Sequence, residues 1–247
     1  MVTKKPIPLT KRIVRKLKDI PEGEVFDYTI LADGSVEMTA LATILSRMVV
    51  KGELERLTKG VYFKPKKTVF GTARPLEDEI IKSVTIKDKK LKGYLTGLVL
   101  YNRMGLTTQV SNVLTIASKS ILPVKKIRGY KIKYSKQNAP ITKANIPMLQ
   151  LLDAVSDIKS IPDTTVDKSF DLLKKMIFEL SQQQKKRLLK LTLFYNPATR
   201  AIIGAVFENY LPEYDVSALK RTINVFTKFY IDISTKLLPN KSNWNIK

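Results

Sequence analysis

Residues 36–64 read VEMTALATILSRMVVKGELERLTKGVYFK, and their periodicity sets the architecture of the first part of the chain. From Val36 to Lys51, Leu41, Leu45 and Met48, with Ile44 and Val49 beside them, recur at the three- and four-residue spacing that lines one face of a helix. Thr39, Thr43, Arg47 and Lys51 recur every fourth residue on another face, so the same helix carries a second, polar stripe. Gly52 stands where a helix ends in the left-handed conformation that glycine adopts at little cost. Beyond it Leu54–Thr58 and Val61–Lys64 are β-prone segments, and Lys59-Gly60 between them is a tight hairpin signal.

The upstream residues complete a motif. Leu9–Ile20 predicts a helix with Ile13, Leu17 and Ile20 on its inner face, basic residues around the rest, and Thr10 as its cap. Pro21-Glu22-Gly23 stops it, Glu24–Asp27 is a short strand, and Tyr28–Ala32 forms one or two helical turns. Asp33-Gly34-Ser35 is turn chemistry, with Ser35 as the N-cap of the next helix. A helix, a short second helix, a third helix with a polar outer stripe and a basic hairpin follow the order of a winged helix-turn-helix. In that design the third helix enters the major groove and the hairpin touches the adjacent backbone.

The candidate DNA-binding residues are therefore Thr39, Thr43, Arg47, Lys51, Arg56 and Lys59. Threonine and arginine reach base edges, arginine matching the paired acceptors of guanine, while Lys51, Arg56 and Lys59 neutralise phosphate. Tyr62 and Phe63 read as wing packing rather than base stacking. A solvated helix face shows the same polar spacing, and winged helices also serve as protein-interaction modules, so the stripe leaves those two alternatives open.

Composition narrows the chemistry. The chain has 247 residues, with 44 Lys plus Arg against 22 Asp plus Glu, a formal charge of +22. Such a field attracts polyanions at long range. Cysteine and histidine are both absent, which excludes disulfides, Cys/His zinc sites and nucleophilic catalysis through a histidine base. No constellation of Asp, Glu and Lys stands out in their place, so the expectation is a protein that is not an enzyme and uses no cofactor or metal. The start, MVTKKPIPLTKRIVRKLKDI, has charges where a signal peptide needs an apolar run. No later stretch approaches the roughly 20 apolar residues of a membrane helix. A cytoplasmic location without membrane contact follows as an expectation.

The charge is uneven. Residues 1–75 carry +7, residues 76–150 carry +10 and residues 151–247 carry +5. Between Asp88 and Asp153 there is no carboxylate side chain, while twelve Lys or Arg occur there. Within that region Lys125-Lys126-Ile127-Arg128-Gly129-Tyr130-Lys131-Ile132-Lys133-Tyr134 alternates as a strand with one buried and one basic face would. Lys125, Lys126, Arg128, Lys131 and Lys133 are thus a candidate second basic surface, facing either phosphate or water.

The remainder mixes element types. Pro75–Glu79 opens a helix with acids in its first turn, and Tyr94–Met104 predicts another, closed by Gly105. Val113–Ile116 and Lys131–Tyr134 are strands. From Thr142 the pattern is helical, with helices expected over Asn145–Ile158, Lys168–Leu193, Pro197–Leu211 and Val216–Leu238. Asp153, Asp157, Asp163, Asp167 and Asp171 have the look of a metal cluster, but Ile161-Pro162 breaks their register and no established ligand spacing appears. Lys185-Lys186-Arg187 with Lys190 forms a basic patch. Arg200 calls for a carboxylate partner, with Glu208 two turns along its helix, and Ala201, Gly204 and Ala205 allow close helix packing. The fold class is α+β, with a winged helix-turn-helix over residues 1–70 and, over 71–247, an α+β to helical domain whose small sheet lies within 110–136.

The run Leu45 to Tyr62 resembles the winged-helix start of AbiEi-type antitoxins from bacterial abortive-infection toxin-antitoxin systems. A second block, Gly93-Tyr94-Leu95-Thr96-Gly97 through Tyr101, then Gly105–Val110 and the strand Asn112–Ala117, is similar to the region after the wing in those proteins. The resemblance implies that the N-terminal domain binds double-stranded DNA at its own promoter and represses the operon. It also implies that the remainder counters a cognate nucleotidyltransferase toxin. The alternative is a general nucleic-acid-binding protein, acting on RNA among others, that uses the basic middle of the chain and has no toxin partner.

Overall fold

A computed structural model describes residues 7–32, 36–68, 71–72, 75–87 and 90–247. The expected Asp33-Gly34-Ser35 turn with its Ser35 cap, and residue 70 at the expected domain end, lie outside the described residues. The chain divides into two compact units, residues 1–92 with 126–130, and residues 93–125 with 131–247.

The first unit opens with α1 (Leu9–Lys18), whose N-cap is Pro8, so Thr10 lies inside the helix instead of capping it. Strand β1 (Val25–Asp27) leads into a 3-10 turn over Tyr28–Leu31. Asp27 caps that turn by accepting the backbone N–H of Thr29 at 2.9 Å and its hydroxyl at 2.6 Å. Helix α2 (Met38–Val50) ends at Lys51. There Gly52, at φ +72°, donates to the Val49 carbonyl and Glu53 to that of Met48, each at 3.0 Å. These are the paired bonds of a glycine-terminated helix, and they occupy two carbonyls the helix itself leaves open.

Strands β2 (Glu55–Thr58) and β3 (Val61–Phe63) form the hairpin, and the antiparallel sheet runs β1-β3-β2. Ile13, Leu17, Ile20, Phe26, Leu31, Leu41, Leu45, Leu54 and Tyr62 make one core from both helices and the sheet. Element order and pairing are compatible with a winged helix-turn-helix. Tyr62 and Phe63 are buried, and the Tyr62 ring stacks on Phe26 with centroids 6.1 Å apart.

Two two-residue strands, β4 (Lys67–Thr68) and β5 (Gly71–Thr72), pair next. Helix α3 (Glu77–Thr85) has Glu77, Asp78 and Glu79 in its first turn, and Glu79 accepts the Val25 N–H at 3.0 Å, tying the helix to β1. Strands β6 (Ile86–Lys87) and β7 (Lys90–Leu91) form a small antiparallel pair after it.

Strands β8 (Gly93–Thr96), β9 (Val113–Ser118), β10 (Lys125–Ile127) and β11 (Tyr130–Lys136) form a four-stranded sheet in the order β10-β11-β9-β8, with α4 (Leu98–Arg103) between β8 and β9 in sequence; the hairpin residues 126–130 belong to the first unit and the rest to the second. Strand β9 is antiparallel to β8 and parallel to β11. The helix expected over Tyr94–Met104 thus begins as strand, through Thr96, and is helical only from Leu98 to Arg103. Gly93 sits so near β9 that a Cβ would meet the Ala117 carbonyl at 2.6 Å, and Gly97 turns the chain at φ +73° before α4 begins. The expected single basic strand is a hairpin. Arg128 (φ +49°) and Gly129 (φ +91°) form its turn, in the mirror-image conformation that suits the strand twist.

Helices α5 (Ile146–Ser156), α6 (Val166–Glu179), α7 (Gln182–Thr192) and α8 (Pro197–Tyr210) follow, with α5 packed on α6, α7, α8 and β8. The helix expected over Lys168–Leu193 is two helices. Leu180 leaves helical geometry, and Ser181 starts α7 with a reciprocal cap, Ser181 N–H to Gln184 at 2.9 Å and Gln184 N–H to Ser181 Oγ at 3.3 Å.

The helix expected over Val216–Leu238 is reduced to the single turn of α9 (Ser217–Lys220). Phe229, Ile231 and Ile233 alternate inward with exposed Lys228, Tyr230 and Asp232, the period of extended chain. That segment pairs with the C-terminal residues through Phe229 N–H to Asn245 O and Lys247 N–H to Phe229 O, both 2.8 Å. The expected Arg200–Glu208 pair does not form. Glu208 is taken by Trp244, Asn240 and Lys220, and the Arg200 guanidinium reaches the Thr222 carbonyl at 3.5 Å.

Candidate functional site

Helix α2 separates its two stripes as its sequence requires. Leu41 and Leu45 are fully buried, while Thr39, Thr43, Arg47 and Lys51 are all exposed. Thr43 donates its hydroxyl to the Thr39 carbonyl at 2.9 Å, and Thr39 donates to the Glu37 carboxylate at 2.6 Å. Both hydroxyl protons are therefore already engaged, one by the helix backbone and one by its N-cap residue, which leaves the two hydroxyls as acceptors. Arg47 is the side chain on this stripe that can offer a fork of donors to a base edge. On the β2–β3 hairpin, Arg56 and Lys59 are exposed, and the Arg56 Nε lies 3.4 Å from the Thr58 carbonyl. All six predicted residues thus lie on one helix face or on the hairpin that follows it.

Not every cation of this unit is available to a partner. Lys64 donates its ammonium to the Leu17 and Ile20 carbonyls at 3.1 and 2.7 Å, closing the C-terminal end of α1. Lys16 donates to the Leu31 carbonyl at 2.8 Å. Sequence periodicity could not separate these structural lysines from free ones, because their acceptors are backbone groups of other elements.

In the candidate second basic surface, Lys125, Lys126, Arg128, Lys131 and Lys133 are all exposed, with Ile127 and Ile132 buried between them. Arg128 forms an ion pair with Glu55. The patch at Lys185 to Lys190 is partly engaged, since Lys185 donates to the Phe178 carbonyl at 2.9 Å and Arg187 to that of Ala144 at 3.3 Å.

The five aspartates are dispersed among other tasks. Asp153 accepts the Tyr94 and Tyr195 hydroxyls at 2.9 and 2.6 Å, and Asp157 accepts that of Tyr101 at 2.7 Å. Asp167 accepts the Ser234 N–H at 2.7 Å, and Asp171 pairs with Lys174 and Lys175 at 3.2 and 2.9 Å. Asp163 lies 3.4 Å from the Thr108 hydroxyl. Among the described residues no group of three or more His, Cys, Asp or Glu could hold a metal ion.

The Asp153 cluster is what the sequence did not disclose. Burial pushes the Asp153 carboxyl up to about 6, against the opposing donations from Tyr195, Thr96 and Tyr94. Burial, then the charge of Asp153, raises the Tyr195 and Tyr94 hydroxyls, so both remain protonated donors. Gln137 donates to both hydroxyls, at 2.7 Å to Tyr94 and 3.0 Å to Tyr195.

Among the described residues no helix is long and apolar enough to cross a membrane. The chain is similar to a solved structure, the crystal structure of RV2827C protein from Mycobacterium tuberculosis, at 14% identity, covering 92% of this chain and 85% of that one with a TM-score of 0.49. No curated protein matches. Residues 12–189 match a family described as a Family of unknown function (DUF6088), and the chain belongs to it.

Proposed function

We propose that this protein is a DNA-binding autorepressor and antitoxin that works in the cytoplasm by binding, without a catalytic step of its own. The observation that carries the DNA-binding part is the exposed face of α2, with Thr39, Thr43, Arg47 and Lys51 outside and Leu41 and Leu45 buried beneath, followed by a wing bearing Arg56 and Lys59. Arg47 is the base-reading side chain in this scheme, and Lys51, Arg56 and Lys59 neutralise phosphates. The +22 charge supplies the long-range attraction.

The antitoxin part rests on the resemblance of residues 45–62 and 93–117 to AbiEi-type antitoxins, whose toxins are nucleotidyltransferases. An anisotropy titration on the protein's own upstream region against random duplex tests the repressor. Preference for the upstream region, reduced by Arg47→Ala, is expected, and equal binding of both duplexes overturns it. Co-expression with the product of an adjacent nucleotidyltransferase gene tests the antitoxin, with restored growth expected and continued growth arrest against it.

A second use of the charge is favoured by one observation. Lys125, Lys126, Lys131 and Lys133 are exposed within a stretch, residues 89–152, that has no carboxylate side chain. If this surface binds nucleic acid generally, RNA included, affinity is equal for unrelated sequences and falls steeply with salt.

A further inference from the structure

A cavity of about 280 Å³ opens in the second unit, among the ends of β8 and β11, β9, the C-terminal part of α5 and the loop between α7 and α8. Asp153 and Asp157 stand four residues apart on α5, so one helix face brings both carboxylates to it. Their tyrosine partners occupy only part of the roughly four acceptor directions each carboxylate has. The polar residues Thr115, Ser135 and Asn138 line the same cavity. Phe194, 47% exposed, and Tyr195 supply aromatic surface, and Lys136 supplies a cation.

A flat ligand with a hydrogen-bonding edge matches aromatic surface beside fixed acceptors. Among the four bases, guanine presents two adjacent N–H donors on one edge, at the spacing of the two oxygens of a carboxylate. A small organic cation would also suit the carboxylates, but the +22 charge of the chain opposes it, whereas the same field attracts a nucleotide and Lys136 can meet its phosphate. We propose that this cavity binds a guanine base, with Asp157 accepting its N1–H and N2–H groups, Phe194 stacking on its face and Lys136 against its phosphate. The base arrives either in a free nucleotide or as an unpaired residue of a single strand. This site is separate from α2 and the wing and does not depend on their binding duplex DNA.

Calorimetric titration of the full-length protein with GMP and with AMP is the test, together with an RNA hexamer containing one guanine and its adenine-substituted counterpart. The expected result is at least about tenfold preference for guanine over adenine, the discrimination a bidentate contact supplies. Asp157→Asn removes that preference, and Phe194→Ala, at an exposed position, weakens binding while leaving the thermal unfolding midpoint unchanged. Binding of GMP identifies the free nucleotide as sufficient; binding of the guanine hexamer without GMP identifies the strand as the source. Equal binding of guanine and adenine forms, no binding of either, or binding of agmatine in their place overturns the assignment.

Discussion

Glu208 accepts the indole N–H of Trp244 at 2.7 Å, and the ring held by that bond lies on Gly204, one turn earlier on the same helix. Glu208 also accepts from Asn240 at 2.9 Å and from Lys220 at 3.0 Å, and the Lys220 ammonium stands 5.3 Å from the centre of the Trp244 ring. Burial alone would raise the Glu208 carboxyl, but donation from Trp244, Lys220 and Asn240 outweighs it and holds the group below the ordinary glutamate value. A tail with little helix, α9 and a 3-10 turn over Lys241–Trp244, is thereby fastened by a bare stretch of α8 and one carboxylate.

Gly204→Ala is the direct probe of that clasp. A Cβ at this position would collide with three atoms of the Trp244 ring, which is fully buried. Overpacking of this kind costs about 1–3 kcal/mol. Urea unfolding should show a lower midpoint for the variant, and an unchanged midpoint would mean that the ring is not seated against α8.

Asp153 gives a pH dependence of definite sign. Its carboxyl titrates at about 6 in the folded chain, above the ordinary aspartate value, so the native state binds more protons than the unfolded state between roughly pH 4 and 6. Stability therefore falls as pH rises through that window, and the cost is fully present above it, on the order of 3 kcal/mol. Glu208, Asp171 and Asp215, whose carboxyls are lowered, contribute the opposite slope at lower pH. Asp153→Asn removes the titrating group, so the loss of unfolding free energy between pH 4.5 and pH 7, read by urea denaturation, should be about 2 kcal/mol larger in wild type than in the variant, the rest of the change lying below pH 4.5. Parallel changes in both proteins would show that Asp153 is not held in its neutral form.

Ser181 sets the break between α6 and α7. Its hydroxyl accepts the Gln184 N–H while Gln184 accepts the Ser181 N–H. Ser181→Ala loses one of the two bonds and should cost about 1 kcal/mol. A thermal melt reads this directly, and a variant as stable as wild type would show that packing of Leu188 and Leu191 alone holds α7 in place.

These cases mark what the amino-acid pattern could and could not disclose. The first unit was legible because its signals are local: apolar spacing at Leu41 and Leu45, a glycine at 52, and a hairpin turn at Lys59-Gly60. The break at Ser181 was equally local, but apolar residues continuing at helical spacing on both sides masked the Ser181/Gln184 cap. At Gly93–Thr96 a long-range pairing with β9 overrode a helical pattern that short windows favour. The tail departs from the expected helix because Phe229, Ile231 and Ile233 alternate at the strand period within a stretch whose other apolar residues suit a helix. At the candidate DNA-binding face the exposed residues follow from periodicity. The tyrosine clasp around Asp153 does not, since Tyr94, Gln137, Asp153 and Tyr195 come from four separate segments of the chain, β8, the residue after β11, α5 and the α7–α8 loop, joined only by folding.

Arg47 and Lys59 separate the two kinds of contact that the proposed repressor makes with DNA. Both side chains are exposed, but Arg47 sits on the outer face of α2 and Lys59 at the turn of the hairpin that follows it. If α2 lies in the major groove, Arg47→Ala removes base contacts and should lower affinity for the operator far more than for random duplex, by about 1–3 kcal/mol. Lys59→Ala removes one phosphate contact, so it should weaken binding to both duplexes alike and reduce the slope of log affinity against log salt by about 1. Anisotropy titrations of both variants at three or more salt concentrations distinguish the outcomes. Equal losses on operator and random duplex for both variants would assign α2 to general phosphate binding and leave sequence recognition to other residues.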